Sequence, residues 1–98
     1  EILTAGDLSL DTKRCTVHQK DDEIYLTRKE FGLLEYLIRN KDIVLSRAMI
    51  MEHVWDMNAD LFSNTIESHI RSLRKKIESD GKKKLIKTVP GRGYKITD

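Results

Sequence analysis

Scarcity sets the first limits on what this chain can be. It holds one cysteine, Cys15, so no internal disulfide can form, which fits a reducing compartment. No apolar run approaches the roughly 20 residues needed to cross a bilayer, so a membrane role is not expected. The N-terminus lacks a basic-then-apolar signal segment, and the expected location is the cytoplasm. There is no Gly-rich phosphate loop, no metal-spaced histidine pair and no Gly-x-Ser-x-Gly elbow. Neither enzyme chemistry nor a metal or cofactor is therefore expected. Cys15 and His18 sit three apart in an expected strand, where they would face opposite sides and could share neither a metal nor a nucleophilic role. Cys15 is expected to fill the core as a small apolar residue.

What is present is an ordinary folding composition: 39% apolar and 35% charged over 98 residues. That length suits one domain, residues 1–98, with a single core. The net charge of +2 hides an asymmetry. Basic against acidic residues number 6 to 8 over 1–40, 2 to 4 over 41–62, and 10 to 4 over 63–98. A nearly neutral protein with one strongly basic third suits a polyanionic partner on that side, although a solvated basic tail would give the same count.

Alternation at Leu8–Leu10, Cys15–Val17 and Ile24–Leu26 reads as short strands, with the polar stretch Lys20–Glu23 as a turn. Too few large apolar residues lie here to close a core, so helices must cover one face. Thr27-Arg-Lys-Glu30 has capping-box spacing, flanked by Leu26 and Phe31 as a hydrophobic staple. Phe31, Leu34, Leu37 and Ile38 then follow at helical spacing to about Asn40. After the β-prone link Ile43–Leu45, Ser46 is placed to cap a short second helix whose Ile50 and Val54 face inward. Residues 55–63 read as a polar loop. A third helix, about 64–78, opens on Asn64-Thr-Ile-Glu67 with capping-box spacing again. Its Ile66, Ile70, Leu73 and Ile77 form one stripe, while Glu67, Ser68, Arg71, Ser72 and Lys75 spread over the opposite face. Gly81 is the expected terminator. Leu85–Val89 and Tyr94–Ile96 then flank Pro90-Gly-Arg-Gly93 as a hairpin.

A helix of this length fits the major groove of B-DNA by its width, and one apolar and one basic face would let it both dock and read. An ordinary amphipathic surface helix would look similar by periodicity. Its company favours the reader: a short helix and turn before it, a basic hairpin after it. Arg92 at the hairpin tip, with Lys87 and Lys95 on the arms, could lie against phosphates or enter the minor groove.

Leu26-Thr-Arg-Lys-Glu-Phe-Gly-Leu-Leu34, Val44-Leu-Ser-Arg47, Val54-Trp55, Ser68-His-Ile-Arg-Ser-Leu-Arg-Lys-Lys-Ile77 and Thr88-Val-Pro-Gly-Arg-Gly-Tyr94 follow one another in that order. Together they resemble the effector domain of OmpR/PhoB-type response regulators over nearly the whole chain. The resemblance implies an α+β winged helix-turn-helix fold: an N-terminal antiparallel four-stranded sheet, three helices and a C-terminal β-hairpin wing. It also implies double-stranded DNA as partner at direct-repeat promoter sites, a second copy bound head-to-tail, and a receiver domain upstream that this chain does not contain. By position, Glu67, Ser68, Arg71 and Ser72 resemble base-reading residues. Arg47, Trp55, Asn64, Thr65, His69, Arg74, Lys75, Thr88 and Tyr94 resemble contacts to the DNA backbone. For His69, a helix-edge histidine half-packed on the core is an equal alternative. The family's wing often reads Thr-Val-Arg-Gly, whereas Pro90 stands here in place of that arginine, and Arg92 is the expected substitute. The loop with Asp56, Asn58 and Asp60 resembles the segment that contacts RNA polymerase, although a merely solvated acidic loop would read the same way. Two rival readings are an enzyme and a winged helix that binds an acidic protein instead of DNA.

Overall fold

A computed structural model describes residues 1–55, 63–79 and 81–98. Asp56, Asn58 and Asp60 lie outside the described residues, so the polymerase-contact expectation has no structural counterpart here. Strands β1 (Ile2–Ala5), β2 (Leu8–Asp11), β3 (Thr16–Gln19) and β4 (Asp22–Ile24) form an antiparallel sheet in chain order. Pairing in register lines Leu3, Leu10, Val17 and Ile24 across one face, with Ala5, Leu8 and Gln19 beside them. This face meets the helices.

The sheet differs from the sequence alternation in three places. The first strand was not visible in the alternation. Cys15 is neither in a strand nor in the core: it is exposed in a turn at φ 55°. The Asp11 carboxylate accepts from Lys13 N and Arg14 N at 3.0 and 3.1 Å, closing an Asx-type turn that carries the chain past Cys15 before pairing resumes at Thr16. The last strand begins in the acidic stretch, at Asp22, and ends at Ile24, leaving Tyr25 exposed. A short, charged edge strand discourages pairing with other chains.

Helix α1 (Arg28–Arg39) starts at the expected capping box: Thr27 Oγ1 accepts from Glu30 N at 3.2 Å, and Glu30 Oε1 accepts from Thr27 N at 2.9 Å. It buries Leu33, Leu34, Leu37 and Ile38, with Phe31 half-buried. Helix α2 (Arg47–Val54) is capped by Ser46, which accepts from Met49 N at 3.1 Å, and it buries Ile50 and Met51. Helix α3 (Thr65–Ile77) buries Ile66, Ile70, Leu73 and Ile77, none more than 2% exposed, as the stripe predicted.

The second capping box is not formed. Asn64 makes no side-chain cap, and its backbone (φ −90°, ψ 26°) is not the extended one found at Thr27. Ser63 Oγ accepts weakly from Thr65 N at 3.4 Å instead, and Glu67 turns to Arg47. A guanidinium is the stronger partner for that carboxylate. Nor does Gly81 end the helix: Glu78 is the C-cap, and Gly81 (φ 77°) serves the following turn, where Lys82 N donates to Ser79 O. Buried Gln19 donates from Nε2 to Ile77 O at 2.8 Å, satisfying a helix-end carbonyl from the sheet.

The wing is the hairpin β5 (Ile86–Val89) and β6 (Gly93–Ile96). Arg92 N donates to Val89 O at 2.9 Å across Pro90-Gly91, and Gly91 sits at φ 72°. Proline followed by a left-handed glycine is the arrangement a type II turn requires, so Pro90 shapes the turn. Two bonds between Leu45 and Tyr94 fasten β6 to the link ahead of α2. Gly93 is obligatory at this junction, because a Cβ there would fall 2.0 Å from Leu45 O.

Candidate nucleic-acid interface

The outward face of α3 and the wing form one surface, and the core stripe fixes which α3 side chains reach it. Arg71 and Lys75 are exposed, and neither forms an ion pair among the described residues. Ser68 is half-exposed on the same helix. Glu67 is also half-exposed, and Arg47 of α2 holds it through Nε at 2.8 Å and Nη2 at 3.2 Å. This bidentate pair keeps the Glu67 carboxyl below its ordinary pKa. Arg47 also donates to Ser63 O, so one guanidinium ties the start of α2 to the start of α3.

Ser72 differs from expectation. It is turned towards the body, where its hydroxyl donates to Glu30 Oε2 at 2.5 Å, and this contact, not a base edge, engages it. Lys76 Nζ donates to Glu30 Oε1 at 2.6 Å. Glu30 is 2% exposed; burial pushes its pKa up, but Lys76, Ser72 and Thr27 N–H outweigh that and bring it down to about 2. The capping spacing made Glu30 legible as an α1 residue, but nothing in the sequence signalled that it also anchors α3.

Of the expected backbone contacts, Asn64 is exposed, and Thr65 Oγ1 lies 2.7 Å from Ser63 Oγ. His69 is half-buried: its Nδ1 lies 2.7 Å from Thr65 O, and its ring meets Trp55 edge-on at 5.0 Å. A carbonyl oxygen can only accept, so Nδ1 is the donor in this contact. Trp55 is half-buried, with Lys29 Nζ 5.8 Å from its ring centre. Arg74 is engaged internally, bonding Ile86 O at 3.1 Å and Thr88 Oγ1 at 2.8 Å, and so braces the wing against α3. Tyr94 is half-buried between them, and burial, with the Glu67 charge, raises its phenol pKa. Arg92 is exposed at the wing tip, lining a hollow shared with Ser46, Arg47 and Ala48 at the start of α2.

The arrangement is a cation-bearing ridge with a hairpin bonded to it through Arg74. Among the described residues no group of acidic, histidine or cysteine side chains could hold a metal. No helix is long and apolar enough to cross a membrane among the described residues.

Residues 21–96 match the family described as transcriptional regulatory protein, C terminal. The chain belongs to that family. It is 43% identical over 93 residues to the transcriptional regulatory protein PcoR of Escherichia coli, covering 95% of this chain and 41% of that one. The chain thus spans about two fifths of the length of the curated relatives it matches. Its fold superposes on the DNA-binding domain of CpxR from E. coli with a TM-score of 0.88 at 28% identity, over 100% of this chain and 97% of that one. It superposes on DrrB, a Thermotoga maritima OmpR/PhoB homologue, with a TM-score of 0.86 at 33% identity, over 99% of this chain and 44% of that one. The fold is the OmpR/PhoB winged helix-turn-helix, and the family is one of transcriptional regulators, not a known enzyme class.

Proposed function

We propose that this domain binds promoter DNA in a sequence-specific way as the output half of a two-component response regulator working in the cytoplasm. In this reading α3 enters the major groove and the wing meets the minor groove or the backbone. One observation carries it: α3 buries four apolar residues to 2% exposure or less while leaving Arg71 and Lys75 exposed on its far side, with no ion pair among the described residues. A helix of 13 residues is about 20 Å long, enough to lie along the groove. Arg71 is the base reader with the best chemistry, since an arginine can bond guanine at two atoms. Ser68 and the Arg47-held Glu67 carboxylate complete the reading set. Asn64, Thr65, Lys75, Thr88 and Tyr94 position the domain on phosphates. Arg92 takes the place of the wing arginine that Pro90 displaces.

The whole regulator would carry a receiver domain upstream, pair head-to-tail on direct repeats one helical turn apart, and contact RNA polymerase. No catalytic step is assigned to it. Selection from random duplexes tests the reading: a recovered direct repeat with half-sites about 10–10.5 base pairs apart is expected. Arg71→Ala should then lose about 1–3 kcal/mol of discrimination at one base pair. Recovery of no common sequence would overturn the proposal. Arg92→Ala should weaken binding and flatten its salt dependence, and unchanged values would remove Arg92 from the interface.

A further inference from the structure

Helices α1 and α3 each carry a glutamate four residues ahead of an arginine, the order and spacing at which the two side chains meet on one helix face. On α1 they pair: Arg39 Nε donates to Glu35 Oε2 at 3.0 Å. On α3 they do not. Glu67 and Arg71 both lie within the helix, yet Arg71 forms no ion pair or side-chain hydrogen bond among the described residues, and Glu67 is bonded to Arg47 of α2.

The packing of α2 on α3 makes the difference. Arg47 donates from Nε to Glu67 Oε2 at 2.8 Å and from Nη2 to Oε1 at 3.2 Å, so one planar group engages both carboxylate oxygens. Its bond to Ser63 O holds the guanidinium at the start of α3. A forked, part-buried pair of this kind is stronger than a contact between two side chains on one exposed helix face. Glu67 also stands on the divide between two hollows: Arg47 and Arg92 line the one beside the wing tip, and Arg71 lines the other, between α3 and β5. The carboxylate thus has a guanidinium on either side, and the fold commits it to Arg47.

We infer that Arg47 is a positioning residue for base recognition: by holding Glu67 it keeps Arg71 from closing onto its own helix and leaves that guanidinium to the DNA. The inference rests on the proposed reading of Arg71 as the principal base reader. It gives Arg47 a part in specificity that needs no contact with a base.

Two measurements test it. The first is a titration of the Glu67 carboxyl by carbon-13 NMR in the free domain, which reads the pairing without DNA. In wild type it lies below the ordinary glutamate range, because Arg47 bonds the charged form. In Arg47→Ala it should stay below that range, since Arg71 takes the carboxylate, and it should return to the ordinary range once Arg71→Ala is added. A return in Arg47→Ala alone would overturn the inference. So would a value that stays low in the double variant, since another cation would then hold the acid.

The second is the ratio of affinities for guanine and its replacements at the base pair whose preference Arg71→Ala abolishes, measured by fluorescence anisotropy. An exposed pair at this spacing is a modest competitor, so Arg47→Ala should lower the ratio about 2-fold. In a Glu67→Gln background no carboxylate is left to capture Arg71, and Arg47→Ala should then leave the ratio where Glu67→Gln alone puts it. Arg47→Ala also removes the bond to Ser63 O. An equal fall in both backgrounds would show that only this structural loss is read, and would overturn the inference, as would an unchanged ratio without Glu67→Gln. If Arg71→Ala altered preference at no base pair, the reading of Arg71 would fall and take the part of Arg47 in specificity with it, a failure the carboxyl titration does not share.

Discussion

Glu30 ties the start of α1 to α3 through one buried carboxylate, and its contribution can be isolated by pH. Its pKa is about 2 in the folded domain against 4.5 for the free side chain. A depressed carboxylate stabilises the fold at pH values above its unfolded pKa, and that contribution is lost as the pH falls through the folded one. The difference corresponds to about 3 kcal/mol at neutral pH, falling to about 1.4 at pH 3 and to a few tenths at pH 2. Lys76 is a third exposed, and solvent screening will trim the neutral-pH figure towards about 2 kcal/mol. Other carboxylates also weaken in acid, including Glu67 and Asp98, so wild type alone cannot report Glu30. Glu30→Gln supplies the reference, because glutamine copies the shape of the protonated acid and does not titrate. Urea unfolding followed by circular dichroism at several pH values should show Glu30→Gln less stable by about 2–3 kcal/mol at pH 7 and nearly equal to wild type at pH 2. A gap of constant size from pH 7 to pH 2 would refute the reasoning, since it would mean that the residue acts by shape and not by charge.

Gly93→Ala should unfold or severely destabilise the wing junction, by about 3 kcal/mol or more, because its Cβ would meet Leu45 O at 2.0 Å. Gly91→Ala, also left-handed but in open space, should cost only about 1–2 kcal/mol, and thermal melts of the two variants check the contrast. Ser46→Ala should cost about 1 kcal/mol through loss of its bond to Met49 N. Asn64→Ala, by contrast, should stay within about 0.5 kcal/mol of wild type in denaturant unfolding and weaken DNA binding alone.

The parts of the fold that were legible are those whose cause lies within one or two turns of chain. The four buried residues of α3 follow from helical period alone, and the Thr27 box from a spacing of three residues. Identical spacing at Asn64 failed because Arg47, separated from Glu67 by 20 positions and brought close only by the packing of α2 on α3, takes the carboxylate first. Alternation at Cys15–Val17 gave the right strand with the wrong beginning, since a side chain four residues back, Asp11, closes the turn. Ser72 lies at the border of the polar face of α3, where angle alone cannot say which way a short side chain turns. Glu30, 42 positions earlier, decides it.

The same distinction governs the interface. Counting residues located the excess of positive charge but could not say which cations are available, because availability depends on partners distant in sequence. Arg74 and Lys76 carry the same formal charge as Arg71 and Lys75 and sit on the same helix, yet the first two are bonded to β5, Thr88 and Glu30. A carboxylate at Glu67 would by itself repel a phosphate backbone, and the Arg47 guanidinium at 2.8 Å cancels that repulsion while still leaving the acid half-exposed. What the fold adds to the sequence is therefore a selection: it neutralises charges that would oppose docking, commits others to holding α3 and the wing in place, and leaves a defined remainder facing outward.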